Sequence, residues 1–188
     1  MKRFRLLSIA LVVGLFSSVT FADDLELESG LKVGVSPGAF NVKDVTGPNK
    51  GRSLCYRCQF GGSGVVNIHA RTITPELTKL VKEIDGLVGP ANDRKVKNKA
   101  FVVLLTDDPD SAKPELEKMA MKNGIKNTPL TIFDGVAGPR GYKIAKEAEV
   151  TVMIWNKQKV KVNHAFKSGK LDKNAIAKIV AEAKEALN

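Results

Sequence analysis

Hydrophobic residues follow two recurring patterns from Gly64 to the end of the chain. The apolar run Gly64 to Ala70 predicts a strand, and the next apolar residues recur at the three-to-four spacing of one helix face: Leu77, Leu80, Val81, Ile84 and Leu87. Thr74 and Pro75 mark the start of that helix, because threonine caps a free backbone N–H and proline suits the first helical position. Ala100 to Thr106 is a continuous apolar run, typical of a central parallel strand.

The remaining patterns complete an alternation of strands and helices. Lys113 to Asn123 predicts a second helix and Leu130 to Phe133 a further strand. Val150 to Trp155 and Lys159 to Phe166 predict an antiparallel hairpin, because only a compact polar connection separates them. The amphipathic stretch from Leu171 to Leu187 predicts a closing helix.

An alternating segment also precedes the first buried strand. Val33 to Val45 alternates around Pro37-Gly38 and predicts two short edge strands in a hairpin, before a turn cluster from Thr46 to Gly51. The whole order predicts an α/β fold: a mixed β-sheet with helices on both faces and an N-terminal β-hairpin.

Residues 1–22 have the three parts of a secretory signal peptide. Lys2, Arg3 and Arg5 precede the apolar run Leu6 to Phe16, and small residues stand before the expected cleavage after Ala22. We therefore expect a signal peptide over 1–22 and one domain over 23–188. We also expect a periplasmic or secreted protein with no stable membrane insertion after cleavage.

The formal charge of +10 falls to +7 once the three basic residues of the signal are removed. The lysines are spread over predicted helices and turns, and no nucleic-acid-binding motif accompanies them. This pattern favours a solvated basic surface, so no nucleic acid is expected as a partner.

Three segments resemble a known family. The front segment Gly34 to Val45 (GVSPGAFNVKDV), then Thr128 to Gly135, then Tyr142 to Trp155, resemble in order the corresponding parts of the peroxiredoxin and exported thiol-disulfide-reductase branch of the thioredoxin-like superfamily. The resemblance covers the chain from about Val33 to its end. It implies a thioredoxin-like, peroxiredoxin-like fold, but a shared fold does not carry a shared function.

The chain departs from that family at its usual active site. Family members place a cysteine where the first buried strand meets the next helix, whereas this chain has Thr72 and Thr74 there. Threonine is a far weaker nucleophile and forms no disulfide, so the usual peroxidase or reductase chemistry is not expected at that place. The family's usual cis-proline is also expected to be absent, because its position before the final hairpin reads Glu149-Val150 and holds no proline. Pro129 is the alternative candidate for that cis-proline.

Both cysteines of the chain instead form a displaced Cys-x-x-Cys pair, Cys55 and Cys58. They precede the first buried strand, so we expect them near the end of it that is opposite to the usual site, with no helix starting after Cys58. Export favours their disulfide. Arg57 offers a positive charge that would favour a thiolate, and Tyr56 could cover the sulfurs.

Four roles for the pair stay open at this point. Cys55 and Cys58 could exchange with other thiols and disulfides, could form a static disulfide that stiffens the loop, or could act as free thiols. They could also bind zinc with His69 and His164, although that spacing matches no zinc-finger pattern.

The leading hypothesis is an exported thiol-disulfide oxidoreductase with Cys55 and Cys58 as catalytic residues, Cys55 attacking or the reverse. Its partner would be a protein disulfide or dithiol substrate, with no cofactor and no metal. The alternative is a non-catalytic thioredoxin-like module that binds a protein partner and keeps the disulfide as a clip.

Overall fold

The computed structural model describes residues 27–188, so the predicted signal peptide lies outside the described residues. Seven strands and four helices follow one another in this order: β1 (Val42–Asp44), β2 (Ser53–Leu54), α1 (Tyr56–Phe60), β3 (Gly64–Ala70), α2 (Pro75–Asp85), β4 (Asn98–Thr106), α3 (Pro109–Asn123), β5 (Leu130–Asp134), β6 (Val150–Asn156), β7 (Lys159–Phe166) and α4 (Lys173–Leu187). A single 3₁₀ turn, Arg140–Tyr142, lies between β5 and β6.

The strands form one mixed sheet in the order β2-β1-β5-β4-β3-β6-β7. Strands β3, β4 and β5 are parallel to one another, and the remaining neighbours pair antiparallel. Strand β3 is buried along its whole length at the centre of the sheet. This agrees with its apolar run and with the coverage of both faces that parallel strands need.

Side chains alternate along β3 between two cores. On one face, which we call the helical face, Val66, Ile68 and Ala70 pack with α2, α3 and α4. On the other, the aromatic face, Val65 packs with Phe101 and Trp155 under α1 and the segment 31–40. Helices thus lie on both faces, as predicted, with the three long ones together and the short α1 opposite them.

The predicted helix starts are confirmed by their caps. The Thr74 hydroxyl accepts from the backbone N–H of Leu77 at 3.1 Å, and the Asp172 carboxylate accepts from that of Ala175 at 2.8 Å. Each side chain satisfies one of the backbone donors that a helix start leaves free.

The N-terminal hairpin is present, but its turn is not the one that was predicted at Pro37-Gly38. Strand β1 lies within the predicted segment Val33 to Val45, but it pairs with β2 across the turn cluster Thr46 to Gly51, and no strand forms over residues 33–40. The Asp44 carboxylate accepts from the backbone N–H groups of Gly47 (2.7 Å) and Asn49 (2.8 Å). These bonds fold the turn cluster into the hairpin connection, because aspartate side chains bond the backbone a few residues on.

Among residues 27–188, no helix combines the length and the apolar character needed to cross a membrane.

Candidate redox site

Cys55 and Cys58 form a disulfide at the start of helix α1. Cys55 is the N-cap residue, and its Sγ accepts from the backbone N–H of Cys58 at 3.1 Å. The expectation that no helix begins here is therefore wrong. A helix of five residues is too short to show a 3.6-residue hydrophobic period, and Gly61 ends it with a positive φ of 55°.

The pair lies at the N-terminal end of β3, because only residues 61–63 separate α1 from that strand. The usual active site of the resembled family would lie at the other end of the same strand, after Ala70. Seven residues of extended chain span roughly 20 Å, so the two places are well apart. The two cysteines also differ in exposure: Cys58 is exposed, whereas Cys55 is half-buried.

Tyr56, the first residue between the cysteines, fixes α1 to the hairpin. Its hydroxyl donates to the Asp44 carboxylate at 2.7 Å, and its ring lies 5.7 Å from that of Phe101 between centroids. Tyr56 is 1% exposed. Burial first, and the adjacent Asp44 carboxylate next, raise the pKa of Tyr56 well above its ordinary value, so the hydroxyl stays a neutral donor.

Arg57, the second residue between the cysteines, binds two other parts of the chain. Its Nε donates to the carbonyl of Pro37 and its Nη2 to the Oε1 of Gln158, each at 2.8 Å. Both acceptors are neutral, and no ion pair in residues 27–188 involves Arg57. Its positive charge is therefore not neutralised by a carboxylate of the described chain, which leaves it able to favour a nearby thiolate.

The usual active-site end of β3 is occupied by polar contacts instead of a thiol. The Arg71 guanidinium donates to the carbonyls of Ala148 (2.8 Å), Ala145 (2.9 Å) and Val136, and the Thr72 hydroxyl bonds the Glu149 carboxylate. The residues at the position of the family's usual cysteine therefore make structural contacts.

The structure also tests whether Pro129 is a cis-proline. Residues 27–188 contain no cis peptide bond, so Pro129 is trans and the alternative that it replaces the usual cis-proline is wrong. Glu149 precedes β6, as the sequence indicated.

The structure does not bring together the four residues of the alternative zinc site. His69 is buried in the aromatic face beside the rings of Phe40 and Tyr142, whereas His164 lies on β7 and bonds the Glu182 carboxylate. Within the described chain, no group of three or more histidine, cysteine, aspartate or glutamate side chains is placed to hold a metal ion.

Two residues that position the cysteines were not recognised from the sequence. Asp44 has a local signal, since an aspartate before Gly47 and Asn49 is typical of a turn closed by its side chain. Gln158 has none, because its contact with Arg57 joins residues 101 positions apart.

Comparisons with known proteins give structural matches only. No protein-family model and no curated protein sequence matches the chain. A candidate protein disulfide isomerase from Bacteroides thetaiotaomicron is 13% identical, with 86% of this chain and 94% of that one covered and a TM-score of 0.62.

Two further solved structures are similar. Peroxidoxin BcpB from Mycobacterium tuberculosis is 19% identical over 84% of this chain and 99% of that one (TM-score 0.55). A candidate thiol:disulfide interchange protein DsbE from Chlorobium tepidum is 15% identical over 82% and 99% (TM-score 0.55). At these identities the likeness concerns the fold, and the chain has a thioredoxin-like fold.

Proposed function

We propose that the protein is an exported thiol-disulfide oxidoreductase whose Cys55–Cys58 pair exchanges with disulfides of other proteins. One observation carries the proposal: the disulfide includes the exposed residue Cys58 and caps a helix that is also held by contacts other than the disulfide. Such a bond can open and close while the surrounding chain keeps its place.

The contacts that hold α1 make the disulfide redundant as a clip. Tyr56 bonds Asp44, Arg57 bonds Pro37 and Gln158, and Phe60 packs in the aromatic face. The bridge closes only a three-residue separation, and the entropic stabilisation from a disulfide falls as its loop shortens. A purely structural role would therefore add little to a segment that is already fixed.

The reduced pair would carry out two balanced exchange steps. The Cys55 thiolate attacks one sulfur of the substrate disulfide, forms a mixed disulfide and releases the other substrate sulfur as a thiolate. The Cys58 thiolate then attacks the Cys55 sulfur, which regenerates the Cys55–Cys58 bond and releases the substrate as a dithiol. An external dithiol must reduce the pair before the next turnover.

Cys55 is assigned the attack because the described contacts favour its thiolate. The Cys58 backbone N–H donates to its sulfur, and a hydrogen bond to the charged form of a thiol stabilises that form. Arg57 is adjacent in sequence to Cys58, and its un-neutralised charge favours a nearby thiolate. The greater exposure of Cys58 would favour the reverse order, and the two single variants distinguish the two orders.

The comparisons support this class of chemistry, because two of the similar structures are named for disulfide isomerisation or interchange. The proposed export rests on the signal-peptide pattern of residues 1–22. An exported chain enters an oxidising compartment, in which a disulfide persists.

Trapping of a mixed disulfide tests the proposal. Reduced mature protein carrying Cys58→Ser should capture a protein disulfide through Cys55 and hold it, because the resolving thiol is missing. Cys55→Ser serves as the matched control and should capture far less. If neither variant captures a substrate and the wild type does not turn over scrambled protein, the pair is a structural clip and the binding-module alternative replaces this function.

A further inference from the structure

A cleft of about 590 Å³ lies beside the cysteine helix. One wall comes from the cysteine side and includes Gln59, Phe60 and Ser63, and the other comes from the loop between α2 and β4, residues 86–97. We call it the α1 cleft. Its volume falls within the roughly 300 to 1,000 Å³ of ordinary ligand sites, and Gln59 directly follows the exposed Cys58.

Lys99 lies in the α1 cleft with an unusual environment for a lysine. The residue is only 3% exposed, and its Nζ donates to the backbone carbonyls of Pro90 (2.5 Å) and Asp93 (2.6 Å). An ammonium group has three N–H donors, so two described acceptors leave one donor for a ligand. Burial lowers the pKa of Lys99, as expected where the charged form has lost part of its hydration.

The 86–97 loop adds positive charge in and next to this cleft. Arg94 lines the cleft, Lys95 and Lys97 are exposed on the same loop, and none of the three forms an ion pair with a carboxylate of residues 27–188. The one acidic residue of the loop, Asp93, also lines the cleft, and its carboxylate accepts from the backbone N–H of Lys95 at 2.8 Å. The three basic residues of the loop thus exceed its one carboxylate.

The opposite wall supplies neutral hydrogen-bonding groups. Asn49, Gln59 and Ser63 line the α1 cleft with side chains that can donate to and accept from a polypeptide backbone. A substrate chain held at Cys55 lies beside helix α1, whose residue Gln59 lines this cleft, and each extended residue of that chain advances about 3.3 Å. Basic side chains on one wall and neutral hydrogen-bonding groups on the other suit an extended, negatively charged peptide.

We propose that the α1 cleft binds an acidic segment that flanks the cysteine of the protein substrate. This inference rests on the proposed function and names the substrate class. Complementary charge would speed encounter and select among substrates, and salt would weaken both effects.

Binding is tested first, with no redox step. The probe is a fluorescein-labelled twelve-residue peptide rich in aspartate and glutamate, with serine in place of its central cysteine, measured by anisotropy against oxidised mature protein at low salt. We expect it to bind about tenfold more tightly than the same peptide with lysines. Arg94→Glu should weaken binding about tenfold, whereas Lys118→Glu, the same charge change on α3 at the helical face, should leave it within about twofold.

The exchange rate is measured second, with the same two peptides carrying a central disulfide and with reduced wild-type protein. Exchange that is faster for the acidic peptide and slowed by Arg94→Glu supports the inference. Equal binding of both peptides, or equal losses in Arg94→Glu and Lys118→Glu, overturns it even if exchange is fast. Selective binding without any exchange leaves the cleft standing and refutes the proposed redox function.

Discussion

Acidification should destabilise this protein through His69, a histidine buried near the C-terminal end of β3. His69 is 1% exposed, and neither ring nitrogen has a hydrogen-bond partner among the described residues. Its ring lies 5.9 Å from that of Phe40 and 5.4 Å from that of Tyr142, between centroids. Desolvation by burial lowers the pKa of His69 to about 3.

The sign of the effect follows from proton uptake by the two states. An unfolded histidine has a pKa of about 6.5, so between about pH 6.5 and 3 the unfolded chain binds a proton that the folded chain does not. The free energy of unfolding is therefore not reduced by His69 well above pH 6.5, and the reduction grows as the pH falls toward 3. Between pH 7 and pH 5 the free energy of unfolding should fall by about 2 kcal/mol, at about 1.4 kcal/mol per pH unit below 6.5.

The assay is urea unfolding of oxidised mature protein at pH 7, 6 and 5. His69→Leu removes the titrating group while keeping an apolar side chain at the site, so most of the 2 kcal/mol difference should disappear. His164→Gln is the matched control, because it removes the other histidine of the chain and should leave the His69 contribution in place. A loss between pH 7 and 5 that is the same in wild type and His69→Leu would refute the reasoning.

Three further predictions concern the site and the leader. Tyr56→Phe should lower the free energy of unfolding by about 1 to 3 kcal/mol in urea, because the buried Asp44 carboxylate loses one of its three described donors; an unchanged value would contradict the anchoring role. Reduced protein mixed with hydrogen peroxide in stopped flow should show only slow thiol oxidation, since Thr72 and Thr74 stand where the peroxidatic cysteine is expected; rapid, saturable consumption would oppose this. Intact-mass analysis of exported protein should show a chain starting at Asp23, whereas residues 1–22 retained in a membrane fraction would overturn the export prediction.

The sheet and its long helices could be predicted from the sequence because their signals are local. The buried strands are continuous apolar runs, α2 carries a cap and a 3–4 hydrophobic period, and the final hairpin has a two-residue connection. Each of these signals lies within a window of about fifteen residues.

The environment of the cysteines could not be predicted in the same way, because distant contacts create it. Helix α1 is too short to have a period of its own, and Arg57 reaches Pro37 and Gln158 from different parts of the chain. The first hairpin was misplaced for a related reason: Pro37-Gly38 is the stronger turn signal, but the Asp44 carboxylate closes the turn that the fold uses. Cys55 and Cys58 could be identified from the sequence as the candidate redox residues, but their place on a helix could not be predicted.

The reduction potential of the Cys55–Cys58 pair tests the central claim most directly. Mature protein is equilibrated in defined glutathione or dithiothreitol buffers, and the reduced fraction is read by thiol alkylation and mass, with Cys55→Ser/Cys58→Ser as the background control. We predict a potential between about −120 and −270 mV, the range of exchanging dithiols. A potential below about −300 mV would contradict it, because a bond that stable belongs to a structural disulfide.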